Sequence, residues 1–368
     1  MFYNLIYINK YSSLSNDIDR LEYQTEIFGL VFKLAYWEEN LLSIFIGCDL
    51  GGTNIKAGLV NIDTGKILQS ASIPTMAQEG HEKVIERMIS LIQGIIAETG
   101  LPKSDVKGLG VSAPGVLDVE TGTTLFLPNL PGQWRDIPLG NTLTEALGFP
   151  VTMLNDVRAI TYGEFIFGAG KGVDRMACLA IGTGLGGGLV IDGKLVLGFD
   201  GTAGELGHQT VEMNGIRCNC GNYGCLEAYC SGPAIASQAA RAIRQGTTTR
   251  ISELVDFDLN KITPKIVAQA ALDGDELALE VWDTVGQYLG IGIANICVAF
   301  GPERVVLSGG VAAAGDLLID PVRKTLKKRV HVMPIDRVEI LPSTLGSDAG
   351  ILGMASWAGS SQSNINQN

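Results

Sequence analysis

"IFIGCDLGGTNIKAGLVNI", Ile44 to Ile62, reads as strand, turn, strand, with apolar residues alternating on both sides of the Gly51–Gly52 pair. The same grammar returns at "MACLAIGTGLGGGLVIDGKLV", Met176 to Val196. A unit that recurs in this way points to a duplicated α/β architecture with two related lobes. In the first unit, two glycines remove side chains so that backbone N–H groups can approach a phosphate. Thr53 adds a hydroxyl donor, and Asp49 offers an acidic end for a hydrated Mg2+. Gly182, Thr183 and Gly184 can do the same from the second unit. One such loop alone would be an ordinary hairpin turn. Two in matching positions of a repeat favour a nucleotide's phosphates. The G-x-x-x-x-G-K-[ST] spacing of a Walker loop is absent, and neither loop opens a helix as a dinucleotide-binding glycine loop does.

Between the two units, Val84, Ile85, Met88, Ile89, Ile92 and Ile96 recur at helical spacing within Glu82 to Ala97. "VKGLGVSAPG" reads as a buried strand, and "VTMLNDVRAITYGEF" as a strand giving way to a helix at Asn155 and Asp156. A long helix ends near Phe300, the strand "RVVLSGGV" follows, and a last helix is expected over Ala349 to Trp357. Residues 1–43 differ from the rest: they lack a clear period, although "LEYQTEIFGLVFKLAYW" has the character of a helix. They form an N-terminal extension. The expected division is 44–158 plus about 345–360 as one lobe, 159–344 as the other, and 361–368 as a polar tail.

Bulk composition narrows the function classes. Of 368 residues, 46% are apolar and 18% charged, as in a soluble, loop-rich enzyme, and a formal net charge of -12 disfavours nucleic acid as a partner. "LLSIFIGC" is too short to cross a bilayer, so no membrane association is expected and the cytoplasm is the expected compartment. Thiols should be reduced there.

"CNCGNYGCLE", Cys218 to Glu227, holds three of the seven cysteines. The spacing lacks the C-x-x-C of thioredoxin-like sites, which leaves a metal. His208, one of three histidines, stands ten positions upstream in "GELGH" and completes a Cys3His set with Cys218, Cys220 and Cys225. Four protein ligands make a closed, structural zinc site that cannot itself activate water. Cys230 could substitute as a ligand, Cys48, Cys178 and Cys297 sit in apolar runs, and His81 and His331 read as surface residues. Glu205 and Glu227 flank the knot and are suited to hydrogen bonding with sugar hydroxyls. Phosphoryl transfer to an alcohol needs a carboxylate to accept the hydroxyl proton. Asp156 is the candidate base, with helix capping as its bland alternative. Asn155 beside it, and Asn129 in the loop "LPNLPGQW", are suited to hold a polyhydroxylated ligand.

Together, "DLGGTNIK", "LPNLPGQW", "LNDVRA", "GTGLGGG", "GELGH" and "CNCGNYGCLE" resemble the ROK family of bacterial sugar kinases and repressors, in the family's order from about Ile44 to Trp357. The resemblance implies an actin-like ATPase fold, two ribonuclease H-like lobes around a central cleft. It implies ATP, Mg2+ and structural Zn2+, with phosphorylation of the 6-hydroxyl of glucose by Asp156 as base. Asn129, Asn155, Glu205, His208 and Glu227 match sugar contacts, His208 serving metal and sugar through its two ring nitrogens. Gly51, Gly52, Thr53, Gly182 and Thr183 match phosphate positions, and "LSGG", with Gly309 and Gly310, the nucleotide-side loop. Asp49, Lys56 and Gly184 are taken with them as cofactor-binding candidates. A homodimer or homotetramer is expected on the same ground. Another hexose (fructose, allose, N-acetylmannosamine, N-acetylglucosamine) or a sugar-responsive repressor is the alternative, and both ATP and polyphosphate fit as donor. Gln133 departs from the family's pattern of Gly directly before Trp, which leaves the exact geometry of that loop undetermined by the sequence.

Overall fold

The computed structural model describes residues 43–365. The helical stretch expected within the N-terminal extension lies outside the described residues.

Two five-stranded sheets repeat one topology. The first has the order β3-β2-β1-β4-β7, built from β1 (Ile44–Leu50), β2 (Asn54–Asn61), β3 (Lys66–Pro74), β4 (Val106–Ala113) and β7 (Val151–Asn155). The second has the order β10-β9-β8-β11-β12, from β8 (Met176–Ile181), β9 (Leu185–Ile191), β10 (Lys194–Leu195), β11 (Arg304–Ser308) and β12 (Glu339–Pro342). In each, a hairpin partner lies antiparallel to the leading strand and two further strands lie parallel to it. Parallel neighbours need helical crossovers. A small hairpin, β5 (Val116–Asp118) and β6 (Thr123–Phe126), leads into the asparagine loop.

The helices are α1 (His81–Thr99), α2 (Leu139–Leu147), α3 (Asp156–Ile166), α4 (Glu227–Cys230), α5 (Gly232–Arg244), α6 (Arg250–Leu254), α7 (Pro264–Leu272), α8 (Glu276–Phe300), α9 (Asp316–Arg329) and α10 (Ala349–Ile365). The apolar stripe of α1 packs with α2 over the first sheet in one core. The second sheet carries a larger core under α5, α7, α8 and α9, with Trp282 at 1% exposure. Among the described residues, no helix is long and apolar enough to cross a membrane.

What positions the cleft is the pair α3 and α10, which pack on each other between the sheets through Ala159, Met354 and their neighbours. Helix α10 approaches the first sheet so closely that a Cβ at Gly47 would lie 1.9 Å from the carbonyl oxygen of Ile351, and one at Gly110 would lie 2.1 Å from that of Met354. Any side chain at either strand position would lift the helix off the sheet. The final helix runs to Ile365, past the end expected at Trp357, and takes up part of the stretch expected as a tail.

Candidate active site

A cleft of about 390 Å³ opens where the two hairpin loops and the N-terminus of α3 converge. Its floor is Asp156, the first residue of α3, reached because β7 ends at Asn155. The cap of α3 is Asn155, whose Oδ1 accepts from the N–H groups of Val157 (3.0 Å) and Arg158 (3.4 Å) while Nδ2 donates to the carbonyl of Gly115. Capping, the bland role available to Asp156, is therefore filled by its neighbour. Asp156 Oδ1 accepts only from Val157 N–H, at 2.9 Å.

Burial pushes the Asp156 carboxyl up to about 6, and the nearby charges of Asp49 and Glu205 add to the rise. The Val157 hydrogen bond and the Arg158 cation oppose it. Asp49 is itself raised by burial, with the Ser112 hydroxyl (2.7 Å) and Lys56 pulling the other way. Lys56 is not on the cleft wall. Its ammonium is held by Asp348 at 2.6 Å and by the Ser347 carbonyl at 2.9 Å, tying β2 to the segment that enters α10.

Gly51 and Gly52 line one side of the cleft, Gly182, Thr183 and Gly184 another, with Gly309 beyond them. Thr53, Asp49 and Gly310 stand outside the immediate lining. Behind the first loop, the Thr75 hydroxyl donates to the Gly51 carbonyl (2.7 Å) and the Thr75 N–H to that of Thr53 (2.8 Å). The second loop is wired elsewhere: the Leu185 N–H donates to Glu227 Oε2 (2.9 Å), and the Gly232 N–H to the Gly182 carbonyl (2.8 Å).

The third wall carries Glu205, His208 and Glu227. Glu205 Oε1 accepts from Arg158 Nη2 at 3.1 Å. Behind His208 and Glu227, one ligand atom from each of His208, Cys218, Cys220 and Cys225 lies within 4.8 Å of all the others. Cys220 and Cys225 Sγ are 3.7 Å apart, and Cys218 Sγ is 3.7 Å from His208 Nδ1. Tetrahedral ligands about 2.3 Å (S) and 2.0–2.1 Å (N) from one ion stand about 3.5–3.8 Å apart, so this donor set fits zinc. Cys230 takes no part: it is fully buried and its thiol donates to the Val285 carbonyl, so it belongs to the core as Cys48, Cys178 and Cys297 do.

Asn129 lines the cleft from its loop. The loop absorbs Gln133 by turning left-handed, with φ of 58° at Gln133, 37° at Trp134 and 54° at Asp136. The main chain of Gln133 closes it, donating to Leu130 and accepting from Leu127 (both 2.9 Å), and Trp134 is buried. His81, expected at the surface, instead packs edge-on against the Trp134 ring at 5.9 Å. His331 is exposed.

Two repeated sheets around a cleft of glycine loops and a recessed carboxylate define the actin-like ATPase class of fold. Residues 45–361 match the ROK family, and the chain belongs to it. A glucokinase of Thermotoga maritima is 41% identical over 318 residues, spanning 84% of this chain and 96% of that protein. A ROK family glucokinase from Streptomyces griseus, crystallised with glucose and AMPPNP, superposes with a TM-score of 0.73 at 33% identity, over 86% of this chain and all of that one. A xylose repressor of Caldicellulosiruptor bescii is 32% identical over 308 residues, 84% of this chain and 76% of that protein.

Proposed function

We propose that this chain is an ATP-dependent glucokinase, transferring the γ-phosphoryl group of ATP to the 6-hydroxyl of glucose. One observation supports the reading: the buried carboxyl of Asp156, pushed up to about 6, lines a cleft that has the glycine loops at Gly51–Gly52 and Gly182–Gly184 on one side and Glu205, His208 and Glu227 on the other. A base poised just below neutral is ionised at working pH yet still a competent proton acceptor. Because Oδ1 of Asp156 is engaged by Val157, Oδ2 is left for the sugar. It takes the hydroxyl proton as the oxygen attacks the γ-phosphorus, the bond to the bridging oxygen breaks, and ADP leaves.

Asn129, Asn155, Glu205, His208 and Glu227 orient the sugar, which is worth more than any push on the nucleophile. Gly51, Gly52, Thr53, Gly182, Thr183 and Gly184 take the phosphates, and Gly309 and Gly310 the nucleotide side. Mg2+ would be held through its hydration shell near Asp49 and would neutralise phosphate charge. Zn2+ at His208, Cys218, Cys220 and Cys225 would fix the wall and leave His208 Nε2 for a sugar hydroxyl. The division into lobes at 44–158 plus about 345–360 and 159–344, with α3 and α10 as the joint, belongs to the same reading. So do a homodimer or homotetramer and a cytoplasmic setting. Similarity to a xylose repressor makes sensing the rival reading, but a pure sensor has no use for a poised base.

The test is formation of the sugar phosphate from glucose, fructose, allose, N-acetylmannosamine and N-acetylglucosamine, with ATP or polyphosphate as donor, on protein whose zinc content is measured. The expected result is turnover of glucose with ATP and about one zinc per chain. Turnover of another hexose with glucose inert would overturn the substrate assignment. Full activity in zinc-free protein would remove the metal from the account.

A further inference from the structure

Arg158 follows the base by two residues, and its side chain is 3% exposed. A guanidinium is never neutral in a protein, so a buried one must be fully engaged. Its Nε donates to the Ala203 carbonyl at 2.9 Å and its Nη2 to Glu205 Oε1 at 3.1 Å. Both acceptors lie in one segment, the connection from β10 that delivers Glu205 and then His208 to the cleft. The main chain of that segment is anchored on both sides of Glu205, by the Ala203 N–H donating to Leu197, by Gly204 against the backbone of Gly187 and Gly188, and by Gly207 against the Leu185 carbonyl, but the Glu205 side chain has Arg158 as its hydrogen-bond partner. Glu205, in contrast, is 53% exposed and is held on one oxygen only.

We propose that Arg158 is the positioning residue of this site, clamping the Glu205 segment to the helix that carries the base and turning the second oxygen of Glu205 to the sugar. The fork geometry matters: a lysine could keep the charge but not span a carbonyl and a carboxylate at once. Arg158 acts through Glu205 and touches neither substrate. It has a second consequence for Asp156, which faces Asp49 from β1, Glu205 from the loop and Arg158 from its own helix. Arg158 is the one cation among them, so its loss should make the base harder to ionise.

The inference rests on the kinase reading, and turnover of glucose by the unaltered protein tests that reading separately. Against that reference, R158M, E205Q, R158K and the double variant R158M/E205Q are compared. R158M is expected to raise KM for glucose by about 10-fold or more, as for loss of a charged hydrogen bond, with KM for ATP little changed. The acid limb of its kcat/KM profile should move to higher pH. R158K should leave the limb in place while KM for glucose still rises. The double variant should bind glucose no worse than E205Q, because the two residues form one unit. A merely structural arginine would lower the melting temperature and leave KM and the acid limb of the folded enzyme where they were, and that result overturns the proposal. Should R158M not fold, additive KM effects of R158K and E205Q in their own double variant would overturn it equally.

Discussion

The two hairpin loops arise from the same strand–glycine–strand unit, yet they are tethered differently. The first, Gly51 to Thr53, is exposed at Gly52 and Thr53 and pinned only from behind, by Thr75 at the end of the first sheet's edge region. The second, Gly182 to Gly184, is tied forward into the wall of Glu205, His208 and Glu227 through Glu227 and into α5 through Gly232. The repeated topology supplies two similar glycine turns in different surroundings. On the proposed reading, one loop would be an isolated grip on the phosphates, and the other would couple the phosphates to the side chains that would hold the sugar.

The largest break in this arrangement comes from the residue between the loops. Replacing Asp156 by Asn should lower kcat by about 10² to 10⁴, the ordinary worth of a positioned base, while glucose binding measured at equilibrium persists. In the unaltered protein the ionised carboxylate is the active form, so kcat/KM should fall as pH drops through about 6. The sign for stability is the reverse. Folding raises this carboxyl's pKa from 3.8, so the native state binds the proton more tightly than the unfolded chain, and the cost to stability grows as pH rises from 3.8 to about 6 and is fully present above that. Asp156→Asn should therefore melt at a higher temperature than the parent at pH 7.5, and a lower one would contradict the burial argument.

How much of this could be seen in the chain alone follows from the range of the interactions. The repeated units, the Asn155–Asp156 junction and the Cys3His spacing are local patterns, and β1, β2, β8, β9 and the metal-ready cluster appear where those patterns put them. Arg158 was illegible because its burial is made by Ala203 and Glu205, 45 and 47 residues further on. In "NDVRA" it looks like one more surface charge. The surroundings of Lys56 were hidden for a related reason: its motif points to phosphates, and the partner that holds its ammonium, Asp348, lies 292 residues away. Gln133 left the loop's geometry open, since left-handed backbone at a non-glycine residue is imposed by its surroundings, not by its type.

A substitution in the second loop sharpens the comparison. Gly184 has no side chain, and a Cβ there would stand 2.6 Å from Glu227 Oε2, the atom that accepts from Leu185. Gly184→Ala must push that carboxylate aside and break a charge-assisted hydrogen bond. KM for glucose should rise about 10- to 100-fold although the altered residue sits in a phosphate loop. If KM for ATP rises alone, the second loop is no more coupled to the sugar wall than the first.

The smallest expected effect is the matching change behind the first loop. Thr75 is buried, and Thr75→Val is nearly isosteric, removing only the hydroxyl that donates to the Gly51 carbonyl; the Thr75 N–H still donates to Thr53. One neutral hydrogen bond is worth about 0.5–1.5 kcal/mol, or roughly 2- to 10-fold in affinity. Because nothing in that loop's tether leads to Glu205, His208 or Glu227, the loss should appear in KM for ATP, with KM for glucose unchanged. Equal shifts in both constants would mean that the first loop also communicates with the sugar wall, and the division of labour would then have to lie in the cleft as a whole.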